Sequence, residues 1–387
     1  MGVKFIFGQE RVNLKHLTLI HGGSFQRRRE LLISIYALFR MLSDIRDGNL
    51  SERLRRSLSF KEKRKEKGII RIGLIDLEEL TRALNTMYRN YLVEFLLKNL
   101  GYVPPVIPDL VLTSHGIQAL EIELNPGWAG CLRYINSRGK RKGSIAIFSD
   151  LSEFASLEDI LQELIIDVFV DLFFKQGKSF SRFSEPLYFP VERLCLSEKI
   201  TEPIEIPEEC RTIRDFVKTI KEQVLSQVSP VCGLAEDFIE RNVAPSMIFS
   251  RYVDPYPLKE NFLNTLLYGG KVVFTEDLIP AYVKNGKVIP LKKAKMEIRD
   301  MAFIFTGIGY LCRSSRPGLI FIEDIDIYKS PDYQMLLMLL LETFLEDGSL
   351  LIISAEGEYF PSIVDTYMVE NGNRLCGLYS IDGGSQV

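Results

Sequence analysis

The sequence predicts an α/β fold in which a core sheet of parallel strands is joined to an antiparallel β subdomain and a helical insertion. Three observations lead there. Near the start of the chain a strand pattern runs into a glycine turn and then into helical periodicity. Towards the end, two wholly apolar runs, Leu319–Ile322 and Leu350–Ile353, flank a helix-periodic stretch, and buried parallel strands have that composition. Between these ends, residues 109–149 alternate polar and apolar residues, as half-buried antiparallel strands do.

Taken in order, residues 3–7 read as a short strand and 12–20 as a second one. A turn follows at His21-Gly22-Gly23-Ser24. Leu31, Leu32, Ile35, Leu38, Phe39 and Leu42 then recur at helical spacing. Residues 76–100 read as a helix that stops at Gly101, and Pro104, Pro105 and Pro108 impose an extended link. Residues 109–149 read as antiparallel strands, with Gly139-Lys140-Arg141-Lys142-Gly143 as a basic hairpin tip. The spacing predicts helices over 157–174 and 211–241. A meander is expected over 271–289, because Asn285-Gly286 between two alternating runs is a strong hairpin cue. Helices over 298–313 and 331–346 complete a strand–helix–strand unit with the two apolar runs. No sustained heptad pattern and no internal repeat is present, which excludes a long coiled-coil arm.

Composition narrows the classes. The 387 residues are 46% hydrophobic and 26% charged, which excludes disorder, collagen-like repeats and a small disulfide scaffold. The net charge of −3 excludes polyanion binding by bulk charge. Residues 46–71 are the local exception: ten Lys and Arg face only Asp47, Glu52, Glu62 and Glu66. They read either as a solvated face or as a phosphate-contacting patch. Arg53, Arg55, Arg56, Lys63, Arg64 and Lys65 there, with Lys140, Arg141 and Lys142, are the nucleic-acid candidates. No segment has the roughly 18 consecutive apolar residues of a membrane helix. The N-terminus lacks a secretory apolar region, so a cytoplasmic protein is expected. Cys131, Cys195, Cys210, Cys232, Cys312 and Cys376 are scattered without a CxxC pair and read as free thiols. His16, His21 and His115 are too few for a histidine-rich metal site.

Five stretches, in order, resemble the ABC-type ATPase heads of the RecF, SMC and OLD-like group. Leu17–Leu32 lies where that family has a strand, a glycine-rich phosphate loop and a helix. Leu187-Tyr-Phe-Pro-Val-Glu-Arg193 is similar to a segment ending in Glu-Arg. Gly269–Val273 and Lys287–Leu291 resemble the meander that leads into the signature motif. Leu319–Asp326, with Pro331 and Gln334, resembles the Walker B and D-loop region. Leu351–Phe360 resembles the strand that ends in the switch histidine. The resemblance implies a P-loop NTPase core formed by residues 1–45 and 290–387, with residues 46–289 as the inserted helical and antiparallel β subdomain. It also implies face-to-face pairing, as a homodimer or as a heterodimer with an ATPase paralogue, and raises DNA or RNA as a partner.

The residues at the motif positions argue against the family's chemistry. A phosphate loop needs glycines so that successive N–H groups point at phosphates. Gly22, Gly23 and Ser24 open the loop, but Phe25 and Arg27 stand where further glycines are expected. Arg28 replaces the phosphate-reaching lysine. Arg29 replaces the Mg²⁺-ligating hydroxyl, and a guanidinium cannot ligate a cation. Glu323 and Asp324 are a weak metal pair, with Asp324 as the catalytic base only if the site is active. The signature position reads Lys295, Met296 and Glu297. Asp326 keeps the D-loop acid, and Glu356 occupies the switch-histidine position. Arg193 closes the Glu-Arg segment.

The leading expectation is therefore a non-hydrolysing pseudo-ATPase that serves as a binding or scaffold subunit without a cofactor, associated with DNA. In it, the arginines neutralise Glu323 and Asp324 internally. The alternative is an unconventional ATP-binding protein or weak ATPase that uses ATP and Mg²⁺, with Arg28 on phosphate.

Overall fold

The computed structural model describes residues 2–7, 10–46, 63–66, 69–113, 117–124, 130–136, 141–147, 185–228, 233–250, 266–312, 318–346, 348–370 and 376–381. The chain divides into two compact units. Unit 1 comprises Met1–Leu14, Ser34–Phe95 and Pro104–Arg182. Unit 2 comprises Lys15–Ile33, Leu96–Val103 and Phe183–Val387.

The first half of the chain contains β1 (Gly2–Phe7), β2 (Glu10–Asn13), β3 (Leu17–His21), α1 (Phe25–Arg46), β4 (Lys63–Glu66), β5 (Ile69–Asp76), α2 (Leu77–Leu100), β6 (Asp109–Thr113), β7 (Ile117–Leu124), β8 (Gly130–Asn136) and β9 (Arg141–Ile147). The second half contains β10 (Pro186–Phe189), α3 (Arg193–Lys199), α4 (Ile213–Val228) and α5 (Gly233–Phe238). A π-helical turn over Ile239–Val243 leads into α6 (Ala244–Ser250). Then come β11 (Lys271–Phe274), β12 (Pro280–Lys284), β13 (Lys287–Pro290), α7 (Met296–Cys312), β14 (Leu319–Ile322), α8 (Pro331–Glu346), β15 (Leu350–Ala355), α9 (Tyr359–Glu370) and β16 (Cys376–Ser380).

Unit 1 holds two antiparallel sheets, ordered β2-β1-β6 and β4-β5-β7-β8-β9. In the first, Phe5 pairs with Val12 and with Leu110. The Phe5 ring meets Tyr88 of α2 edge-on at 6.1 Å, and the Tyr88 hydroxyl donates to the Ser34 carbonyl at 2.8 Å. Every residue of α1 from Glu30 to Ser43 is buried. A helix covered all round belongs to a core, which explains its weak amphipathic contrast.

Unit 2 is built on a five-stranded, wholly parallel sheet ordered β10-β14-β15-β3-β16. Its register aligns Leu187 with Ile320, Ile320 with Leu351, Ile353 with Leu19, and Leu19 with Leu378. All residues of β10, β14 and β15 are buried, as strands covered on both faces must be. A separate antiparallel meander, β11-β12-β13, turns at Asn285 (φ 51°) and Gly286 (φ 72°). Positive φ at both central residues is the hairpin geometry that Asn-Gly favours. No helix among the described residues is long and apolar enough to cross a membrane.

Several sequence expectations change. The single strand expected over 12–20 is two strands in different units. A local turn separates them: the Lys15 N–H donates to Thr18 Oγ at 2.9 Å, and that hydroxyl donates back to the Lys15 carbonyl. The helix expected over 211–241 divides into α4 and α5, and Pro230, which cannot donate a helical hydrogen bond, falls in between. Arg141–Gly143 lie within β9 rather than at a hairpin tip. The helix expected over 157–174 lies outside the described residues. The two units divide the chain as follows. β1 and β2 belong to unit 1, while β10 is an edge strand of the parallel sheet and residues 183–289 belong to unit 2.

Candidate functional site

Because every strand of the unit 2 sheet runs the same way, all its carboxyl ends lie along one edge. Open parallel sheets bind ligands at that edge. There stand Pro190–Arg193 after β10, Glu323–Lys329 after β14, Glu356–Glu358 after β15 and Gly22–Ser24 after β3. The sheet order thus sets the loop at Gly22–Ser24 beside Glu356–Glu358, and Glu356–Glu358 beside Glu323 and Asp324.

The loop is a tight one. Gly22 (φ 74°) and Gly23 (φ 60°) both occupy the left-handed region, which costs glycine little. Ser24 caps α1, its Oγ accepting from the Arg27 N–H at 3.3 Å. Arg28, one turn into the helix, folds back on the loop. Its Nη1 donates to the Gly22 carbonyl at 3.2 Å and to the Gly23 carbonyl at 3.0 Å. Its Nε and Nη2 donate to the two carboxylate oxygens of Asp324, each at 3.1 Å. Arg28 and Asp324 are both buried, at 2% and 1% exposure. Where a phosphate cradle presents N–H groups to an anion, this loop presents carbonyl oxygens to a cation.

Asp324 is held from the other side as well. It has φ 39°, its N–H donates to Ser354 Oγ at 2.8 Å, and that hydroxyl donates to Asp324 Oδ1 at 2.8 Å. Its carboxylate is therefore bonded to both Arg28 and β15.

Arg29 makes the second pair. It meets Glu323 at 3.2 Å and Glu192 at 2.7 Å, and its guanidinium lies 5.5 Å from the centre of the Phe25 ring. Burial alone would lower the Arg29 pKa, but Glu323 and Glu192 hold it above its ordinary value. Glu323 also accepts from the Val191 N–H at 2.8 Å and from the Tyr188 hydroxyl. Burial pushes the Glu323 carboxyl up to about 7, against the pull of Arg29. Burial and the neighbouring Glu323 raise the Tyr188 phenol well above its usual range. At the end of β3, burial and Arg28 lower the His21 pKa.

Beneath these pairs lies a buried triad. Arg193 is fully buried and donates to the Pro190 carbonyl at 2.9 Å and the Glu323 carbonyl at 2.8 Å. It pairs with Asp300 of α7 at 3.0 Å, and Asp300 also pairs with Lys329. Lys329 donates to the Ile327 carbonyl at 3.2 Å. Burial would raise the Asp300 carboxyl, yet Arg193 and Lys329 hold it below its ordinary value. Burial lowers Lys329. Asp300 and Lys329 were missed in the sequence. Their only signal is a charge on a helix face that otherwise reads as core, and a lysine just past a run of acids.

The other expected positions are placed as follows. Asp326 accepts from the Glu356 N–H at 2.9 Å and the Gly357 N–H at 2.7 Å, so it caps the loop after β15. A Cβ on Gly357 would come within 2.9 Å of that carboxylate, which explains the glycine. Glu356 contributes its backbone N–H to this contact, and the residue is exposed. Lys295, Met296 and Glu297 stand at the start of α7, with Lys295 Nζ 4.2 Å from the centre of the Tyr268 ring. Arg53, Arg55, Arg56 and Lys140 lie outside the described residues. Lys63, Arg64 and Lys65 lie on β4, and Arg141 and Lys142 on β9. These are the two opposite edge strands of one sheet.

The residues do not fit Mg·ATP. Both acids that would hold Mg²⁺ are engaged by arginines, and a buried guanidinium occupies the loop's oxygens. No group of three or more His, Cys, Asp or Glu able to hold a metal occurs among the described residues.

No family model matches the chain, and no curated protein matches it. Among solved structures it is similar to an SMC head bound to the C-winged helix domain of ScpA, at 10% identity and TM-score 0.34, covering 94% of this chain and 91% of that one. It is similar to an Smc head bound to the C-terminal domain of ScpA derived from Pyrococcus furiosus, at 11% identity and TM-score 0.33, covering 94% and 90%. It is similar to the SMC head domain from Thermotoga maritima, at 8% identity and TM-score 0.28, covering 98% and 93%. Likeness at this level carries no functional argument.

Proposed function

We propose that this chain is an ABC-type ATPase-like head that has exchanged nucleotide chemistry for a fixed internal cation and serves as a non-hydrolysing binding or scaffold subunit. One observation carries the reading: a single guanidinium, Arg28, spans the Gly22 and Gly23 carbonyls and both oxygens of Asp324. A bidentate arginine–carboxylate pair is directional and always charged. Here it is also buried, so it holds the loop and the end of β14 in one arrangement without a bound nucleotide. The weak-ATPase alternative needs Arg28 to leave Asp324, and breaking a buried pair costs about 3–5 kcal/mol. The reading implies pairing with a second copy or with an active paralogue, as the family does. Association with DNA stays part of the reading through Arg53, Arg55 and Arg56; of the other basic candidates, Lys63, Arg64 and Lys65 lie on β4, and Arg141 and Lys142 on β9.

The test is a thermal-shift titration of the full chain with a non-hydrolysable ATP analogue and Mg²⁺. No shift is expected at millimolar ligand. A Kd near 1 μM would add about 4 kcal/mol at 1 mM ligand. A shift of that size would overturn the reading.

A further inference from the structure

In unit 2, α5, the π-helical turn and α6 follow one another without a gap, and Phe238 and Ala244, which flank the turn, both keep right-handed helical φ and ψ. The cause of the break is in the sequence. Pro245 has no N–H, and in a regular helix its ring would collide with the carbonyl four residues back. The turn widens instead: the Ala244 N–H donates to the Ile239 carbonyl, five residues back. Such turns are rare and are frequent at functional sites.

The widened turn sets polar groups into the core. It packs against α4 and α7. One helical turn earlier, the Phe238 ring meets Phe189 of β10 at 5.6 Å and Phe303 of α7 at 6.1 Å, which clamps the helix in place. Four residues on, the Asn242 amide lies against Gly307 of α7, where any Cβ would collide with it. Four residues further comes Ser246. Asn242 is 1% and Ser246 5% exposed. Among the described residues, neither Oδ1 nor Nδ2 of Asn242, nor Oγ of Ser246, has a hydrogen-bond partner. Left so, each group keeps its full desolvation penalty. Native cores pair nearly all such atoms, and use water where the protein offers no partner.

The three atoms also select the ligand. All are neutral. Both ends of the amide are unpaired, so turning it over changes nothing. A cation would meet the Nδ2–H donors and an anion the Oδ1 acceptor, whereas water donates and accepts. We infer that the π-helical turn holds a buried water molecule that bridges the Asn242 amide and the Ser246 hydroxyl and is part of the fold. It supplies the partners that Gly307, with no side chain, does not. The bridge uses neither Arg28 nor Asp324, so it is independent of the nucleotide reading.

The experiment has two readouts on the full chain. In the wild type labelled at asparagine, NMR is expected to show cross-relaxation between the Asn242 side-chain amide protons and a long-lived water, assigned by its loss in Asn242→Leu. The second readout is the melting temperature. Ser246→Ala removes one end of the bridge and is expected to lower Tm by roughly 2–4 °C, as one lost hydrogen bond does. Asn242→Leu is also expected to lower it. The double variant should lose less than the sum, because one bridge is lost only once. Without water the signs reverse: each apolar replacement removes a desolvation penalty and raises Tm. A rise in Tm for Ser246→Ala overturns the proposal, as do additive losses or the absence of water cross-relaxation at Asn242. Ser246→Ala deletes a single atom, and the NMR readout needs no variant to fold for its negative result to count.

Discussion

Arg28→Met keeps most of the side-chain stem and removes the guanidinium. What remains is the Asp324 carboxylate at 1% exposure with Ser354 as its side-chain donor, and two glycine carbonyls that have lost their Arg28 contacts. Removing one partner of a buried ion pair costs about 3–5 kcal/mol, because the stranded charge keeps its desolvation penalty. For a cooperative unit of about 150–250 residues, each kcal/mol moves Tm by roughly 2–4 °C. The expected loss is therefore roughly 6–20 °C, read by circular dichroism melting. Asp324→Asn alone strands the guanidinium instead and is also expected to destabilise. The double variant Arg28→Met/Asp324→Asn removes both charges, and its loss should fall short of the sum of the singles by about 1–3 kcal/mol. If Arg28→Met melts at or above the wild-type temperature, the arginine does not lock the loop and the reasoning fails.

Two further outcomes follow from buried charge. The folded Glu323 carboxyl keeps its proton up to about 7, whereas the unfolded one releases it near 4.5. Its contribution is thus fully present below about pH 4.5 and is lost as pH rises through about 7, at up to about 1.4 kcal/mol per pH unit. Urea unfolding of Glu323→Gln should show a flatter decline over that window, and an unchanged slope would contradict the assignment. Asp300→Ala leaves Arg193 and Lys329 buried without their shared anion and should cost about 3–5 kcal/mol. Lys329→Met, which leaves one cation with one anion, should cost less. The reverse order in urea midpoints would refute the triad.

Much of the fold was legible because its signals are local. Leu319–Ile322 and Leu350–Ile353 are wholly apolar and short, and both became central parallel strands. Asn285-Gly286 specified its own turn through positive φ. β10 was less legible as a core strand. Pro186–Phe189 is four residues long, and only its pairing with β14 makes it part of the sheet. The break between β2 and β3 was hidden for a similar reason. Continuous alternation from 12 to 20 does not show that its two halves join different sheets.

At the site, the sequence by itself determined which groups are present. A Gly22-Gly23 turn is followed by Arg27, Arg28 and Arg29, and two acids, Glu323 and Asp324, follow the apolar run Leu319–Ile322. Only the tertiary structure decided what those groups do to one another. Arg28 and Asp324 are 296 residues apart, and Arg193 and Asp300 are 107. The pairings exist because parallel strands deliver their carboxyl ends to one edge, and because burial obliges each charge there to find a partner. A sequence names the charges; the low dielectric that forces them into pairs arises only once the sheet is covered.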